Sequence, residues 1–218
     1  MPVAEKTQME NHSMLQQVYQ KEGGRKMYSY EIRKEKQDDM EKVLKTLQNI
    51  SGIRVAADLE YKRRLSRSDD NGVQTFSITI EEDDDDFETM LKAWFVIADA
   101  GLKENRNIRD ELHLSSLLYE SEPDCADIAD ALCLGQEGKD RLVESILREK
   151  NMFILTELCV FGDHHNFLTE FIRNLNKFIK IGTGLDVKYV ITKKMAGWLK
   201  EELKVSELPD GLCCIRYE

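Results

Sequence analysis

Asp163, His164 and His165 stand in a row, and a carboxylate beside two imidazoles is a donor set that can share a divalent cation and activate its water. Glu157, a short way upstream, could act as an acid next to such an ion. These four are the catalytic candidates of the chain, and no complete ligand set is legible around them. Asp163 also suits a plain role, as the cap of a helix entry. Gly182-Thr183-Gly184 lacks the GxxxxGK[ST] spacing of a phosphate loop. His12 and His113 have no apparent partners. No cofactor or bound metal is therefore expected.

A second kind of chemistry is electrostatic. The 218 residues carry 31 Lys and Arg against 41 Asp and Glu, a net charge of −10. Residues 1–67 hold 14 basic and 10 acidic residues, 68–137 hold 4 and 19, and 138–218 hold 13 and 12. The middle third thus contributes the whole negative excess. Its densest part is Glu81, Glu82, Asp83, Asp84, Asp85 and Asp86. That run could dock a basic partner, or it could be a solvated cap for the element that follows. EF-hand spacing is absent, which argues against calcium.

The DHH triplet at 163–165 resembles the signature of DHH phosphoesterases, which implies a metal-dependent hydrolase. Their further metal-binding aspartates are not found here in motif context. Glu157-Leu158-Cys159 similarly puts Cys where the restriction-endonuclease-like superfamily has lysine in its acid-x-Lys signature. The five cysteines, Cys125, Cys133, Cys159, Cys213 and Cys214, are odd in number and form no CxxC, so a disulfide framework is not expected. The adjacent Cys213 and Cys214 read as small buried apolar residues of a terminal strand.

These residues need elements to hold them. Residues 1–24 are polar and read as a flexible or frayed arm. Tyr28, Tyr30 and Ile32 alternate as a strand, and Met40, Val43, Leu44 and Leu47 mark a helix over 37–49. Residues 53–61 alternate apolar and polar, SRSDDNG at 66–72 carries turn chemistry, and 73–80 alternates again. The two runs are expected to pair as an antiparallel hairpin. Phe87, Met90, Leu91, Trp94, Phe95, Ile97 and Ala98 follow helical spacing and predict a helix stopped by Gly101. Residues 25–104 then form a β-α-β-β-α domain.

Downstream, Ile108 to Leu118 suggests a helix, Cys125 to Leu132 a short second one, and Leu142, Val143, Ile146 and Leu147 a third that yields to a strand at 151–160. Ile128-Ala129-Asp130-Ala131-Leu132-Cys133-Leu134 resembles the apolar-Ala-x-x-Leu-x-Leu second helix of the winged helix-turn-helix superfamily, and the paired apolar residues of the third helix are similar too. The resemblance covers about 107–158 and implies a binding module for nucleic acid or protein. Lys139, Arg141, Arg148 and Lys150 are the nucleic-acid candidates, but Asp140, Glu144 and Glu149 lie among them. Phosphate neutralisation supplies most non-specific DNA affinity. A surface that cancels its own charge favours a protein partner instead.

The last third predicts a helix through Phe167 to Ile179, a strand at 185–191, a helix at 193–203 and a final strand at 211–217. Residues 151–160 can belong to a wing or to this α/β layer. The reading is α+β: a domain at 25–104, a winged-helix-like module at 105–160 and an α/β tail at 161–218. No apolar run reaches the roughly 18–20 residues of a membrane helix, and the polar start Met1–Lys6 has no signal core. A cytoplasmic regulatory or adaptor subunit with a basic protein partner is expected. The alternatives are a metal-dependent phosphoesterase or nuclease-like enzyme, and a DNA-binding regulator acting through 137–150.

Overall fold

The computed structural model describes residues 15–22, 25–32, 36–63, 72–83, 88–99, 123–134, 141–162 and 165–217. Its strands are β1 (Leu15–Glu22), β2 (Arg25–Ile32), β3 (Val55–Arg63), β4 (Gly72–Glu82), β5 (Thr89–Asp99), β6 (Asn151–Val160), β7 (Tyr189–Thr192), β8 (Ser206–Glu207) and β9 (Cys213–Arg216). Its helices are α1 (Gln37–Ser51), α2 (Pro123–Leu134), α3 (Arg141–Leu147), α4 (His165–Arg173), α5 (Leu175–Thr183) and α6 (Gly197–Leu203), with a 3-10 turn at Pro209–Gly211. The fold is α+β.

The strands hydrogen-bond in the order β1-β2-β3-β4-β5-β6-β7-β9-β8. β1 pairs antiparallel with β2 from Leu15↔Ile32 to Glu22↔Arg25, so part of the expected arm is a strand. β6 runs parallel to β7 (Phe153↔Val190, Ile154↔Ile191), which gives 151–160 to the sheet. β7–β9 and β8–β9 are antiparallel. β3 and β4 are neighbours, as the hairpin reading requires. The Asp83 N–H donates to the Arg54 carbonyl at 2.9 Å, joining the end of β4 to the start of β3 in the antiparallel sense.

One expected helix is a strand. Residues 89–99, read as helical from their spacing, form β5. Consecutive residues Met90 and Leu91, and again Phe95 to Ala98, are buried. A strand covered on both faces loses its two-residue period, and an apolar run of this kind mimics a helix. Residues 25–99 therefore run β-α-β-β-β. The helix expected through Phe167 to Ile179 is two, separated at Asn174 (φ −102°, ψ 6°). The Asn174 amide donates to the Glu170 carbonyl (2.9 Å) and Oε1 (2.7 Å), and its Oδ1 accepts from Lys177 (2.7 Å).

Two compact units emerge, each assembled from separate stretches of chain. The first comprises 1–64, 76–94 and 157–187; the second comprises 65–75, 95–156 and 188–218. In the first, α1 packs on β3, α4 and α5. Met40, Val43 and Leu47 face inward at helical spacing, Asp38 and Asp39 occupy the favourable first turn, and Gly52 (φ 72°) closes the helix through its N–H to Gln48 O at 2.8 Å. α5 lies against the sheet at Gly182, where an added Cβ would overlap the Phe76 ring. Phe171 and Phe178 meet with ring centroids 5.5 Å apart. The core of the second unit joins Ala126, Ile128 and Leu132 of α2 and Val143 and Ile146 of α3 to strand residues including Ile154, Ile191 and Cys214.

Candidate partner-binding surfaces

Alternation on β3 and β4 sorts side chains by face. Val55, Leu59 and Tyr61 are buried while Asp58 and Glu60 are exposed, and Phe76, Ile78 and Ile80 are buried while Ser77 and Thr79 are partly exposed. Extending the Asp83–Arg54 register puts Leu59 beside Ile78 and Tyr61 beside Phe76, buried with buried. It equally puts Asp58 beside Thr79, Glu60 beside Ser77, and Glu81 beside Ala56, all toward the other face. Glu82 finishes β4, Asp83 follows it, and the Glu82 N–H donates to Glu88 O at 2.9 Å. Asp83 and Glu88 are exposed. Asp58, Glu60 and Glu81 thus share one face of two neighbouring strands, exposed Asp83 follows β4 directly, and exposed Glu88 precedes β5. Trp94, 37% exposed, and Phe161, 48% exposed, are large apolar surfaces in the same unit. Of the acidic run singled out in the sequence, Asp84, Asp85 and Asp86 lie outside the described residues.

Of the catalytic candidates, Glu157 alone has a described side chain. Glu157 is exposed on β6, where its Oε1 accepts from the Cys159 thiol at 3.3 Å. That hydrogen bond holds the Cys159 thiol above its ordinary pKa, so it is a poor thiolate. Asp163 and His164 lie outside the described residues, and His165 opens α4. Among the described residues no group of three His, Cys, Asp or Glu is placed to hold a metal. Cys214 is buried and its thiol is pushed up to about 12 by desolvation.

Of the nucleic-acid candidates, Arg141, Arg148 and Lys150 are exposed around α3, and Lys139 lies outside the described residues. Glu149 is held by Lys188 at 2.8 Å. Among the described residues no helix is long and apolar enough to cross a membrane.

The sequence reading missed a concavity in the first unit. A groove of about 410 Å³ between α1 and α5 is lined by Lys36, Lys42, Lys177, Lys180, Val43 and Ile181, with Asp39 and Thr46 at its margin. Lys36 is only 5% exposed, and its Nζ donates to the carbonyls of Lys180 (3.0 Å) and Ile181 (2.8 Å) in the last turn of α5. Burial, followed by the positive charge of Lys180, lowers the Lys36 pKa. Lys42 pairs with Asp39 (2.9 Å) and Lys180 with Asp186 (2.7 Å), both at the surface. The lysines come from stretches more than a hundred residues apart, so no local motif announces them. The one available signal is the four-residue-or-less spacing of Lys177 and Lys180, which share a helix face.

No protein-family model, no curated protein and no solved structure matches the chain.

Proposed function

We propose that the chain is a non-enzymatic regulatory or adaptor subunit that docks a basic protein partner on the acidic face of β3 and β4. The observation that carries this reading is the gathering of Asp58, Glu60 and Glu81 on one face of adjoining strands, with Asp83 just past the end of β4, in a unit that also exposes Trp94 and Phe161. Acidic residues steer a basic partner from a distance and accelerate encounter, while an exposed aromatic supplies the anchor area that charge alone does not. The succession of the short helices α2 and α3 supports a winged-helix-like module in the other unit, and its mixed surface charge suits protein rather than DNA. The reading places the protein in the cytoplasm.

The test uses the native host. The full chain is used to capture partners, and the association rate of a captured partner is then measured against salt. Exposed charges are screened over about 8–10 Å at moderate ionic strength, so the rate should fall as salt rises. The variant Asp58→Asn/Glu60→Gln/Glu81→Gln/Asp83→Asn should slow association about tenfold at low salt and lose most of the salt dependence. An on-rate indifferent to both salt and the variant would remove the acidic face from the mechanism. Mn²⁺-stimulated phosphoesterase activity lost in His164→Ala/His165→Ala would instead favour the enzyme reading.

A further inference from the structure

The lysine-lined groove between α1 and α5 goes beyond partner docking. We infer that it is a binding site for a small phosphomonoester whose apolar body rests on Val43 and Ile181. Four observations lead there.

The first is charge. Four lysines and one aspartate line the groove in a chain whose net charge is −10, so the groove reverses the sign of the molecule. Gathering like charges in a concavity costs free energy, and an anion is the ligand that relieves it. The second is Lys36. Its ammonium has three donors, and among the described residues two of them have acceptors, the carbonyls of Lys180 and Ile181. The group is fixed and desolvated, which makes it a stronger anion partner than a lysine waving in water.

The third is how the other lysines are held. Lys42–Asp39 and Lys180–Asp186 are exposed pairs, and Lys177 is bonded to the neutral Oδ1 of Asn174. Exposed pairs are worth little, so these side chains can turn toward a ligand at small cost. The fourth is composition. Among the described residues arginine, whose planar fork suits carboxylates, is absent from the lining, and lysine binds phosphate as a compact point charge. A volume of about 410 Å³ fits a small molecule, and buried Val43 and Ile181 give its non-charged part an apolar floor.

The experiment titrates the full chain with phenyl phosphate, inorganic phosphate and benzoate at constant ionic strength, by calorimetry and by amide chemical shifts. Phenyl phosphate should saturate at millimolar concentration, with shifts confined to the start of α1 and the end of α5. Inorganic phosphate should bind more weakly, and benzoate more weakly still. Affinity should rise from pH 5 to 7, because the second phosphate ionisation lies near about 6. Lys42→Gln/Lys177→Gln alters two exposed side chains, so the fold is not at risk; it should weaken phenyl phosphate about tenfold. Absence of saturation, unchanged affinity in the double variant, or benzoate binding as tightly as phenyl phosphate would each overturn the proposal.

Discussion

The strand face of the first unit and the groove between its helices carry opposite charge by opposite means. On β3 the carboxylates of Asp58 and Glu60 project from a pleated surface into water, and Asp83 is exposed just past the end of β4. In the groove Lys36 is enclosed, and its charge is answered by two backbone carbonyls. Solvated charges act at long range, weakly and subject to salt. A desolvated charge acts at short range and is strong, provided its geometry is fixed. The first arrangement suits a large partner approaching from a distance. The second suits a small ligand already inside the groove.

The sharpest way to break that comparison is to remove what seats the helices on the strands. Gly182→Val forces a branched side chain into the Phe76 ring and should destabilise the protein by about 3 kcal/mol in urea unfolding. Partner docking and phosphate binding should then fail together as the folded population falls. A variant within about 0.5 kcal/mol of the parent would show that the close approach at Gly182 is dispensable.

Lys36→Met separates the two surfaces. It strips the last carbonyls of α5 of their donor, at an expected cost of about 1–2 kcal/mol near neutral pH. The sign of its pH dependence is fixed by the lowered pKa of Lys36. The unfolded chain holds that proton more tightly, so the contribution of Lys36 to stability should grow as pH rises toward the ordinary lysine value of about 10.4. Parent and variant unfolding curves should diverge with pH, while the docking rate on the acidic face stays unchanged. Curves that converge instead would mean that the ammonium is not penalised by burial.

The smallest effect belongs to Asp39→Asn. Its pair with Lys42 is exposed and worth little, so the unfolding midpoint should fall only slightly, by the loss of one first-turn carboxylate of α1. Phenyl phosphate should bind a few-fold tighter, because Lys42 loses its competitor. Tighter binding without added stability would distinguish a site from a structural ion pair.

Much of the secondary structure is legible in the sequence. α1 shows its spacing at Met40, Val43 and Leu47 and its stop at Gly52, and β3 and β4 show strict alternation because one of their faces meets solvent. β5 is misread because Met90, Leu91 and Phe95–Ala98 are buried as neighbours, and double burial erases the signal that distinguishes strand from helix. The acidic surface is half legible. The run at 81–86 is conspicuous, but Asp58 and Glu60 join it only through strand pairing. The groove is illegible, because Lys36 meets Lys180 across 144 residues of chain.

The interleaving of the two units also bears on how the protein comes into being. β4, β5 and β6 each begin in one unit and finish in the other. A ribosome delivers residues in order, and proteins built from successive domains can complete one before the next emerges. This chain has no such pause. The first unit waits for residue 187 and the second for the strand at 213–216, so neither core can close before those residues emerge. Nor does a single uninterrupted stretch of chain form either unit, and a fragment such as 105–160 would carry α2, α3 and β6 without Val96, Ile191 and Cys214 of the other strands in their core.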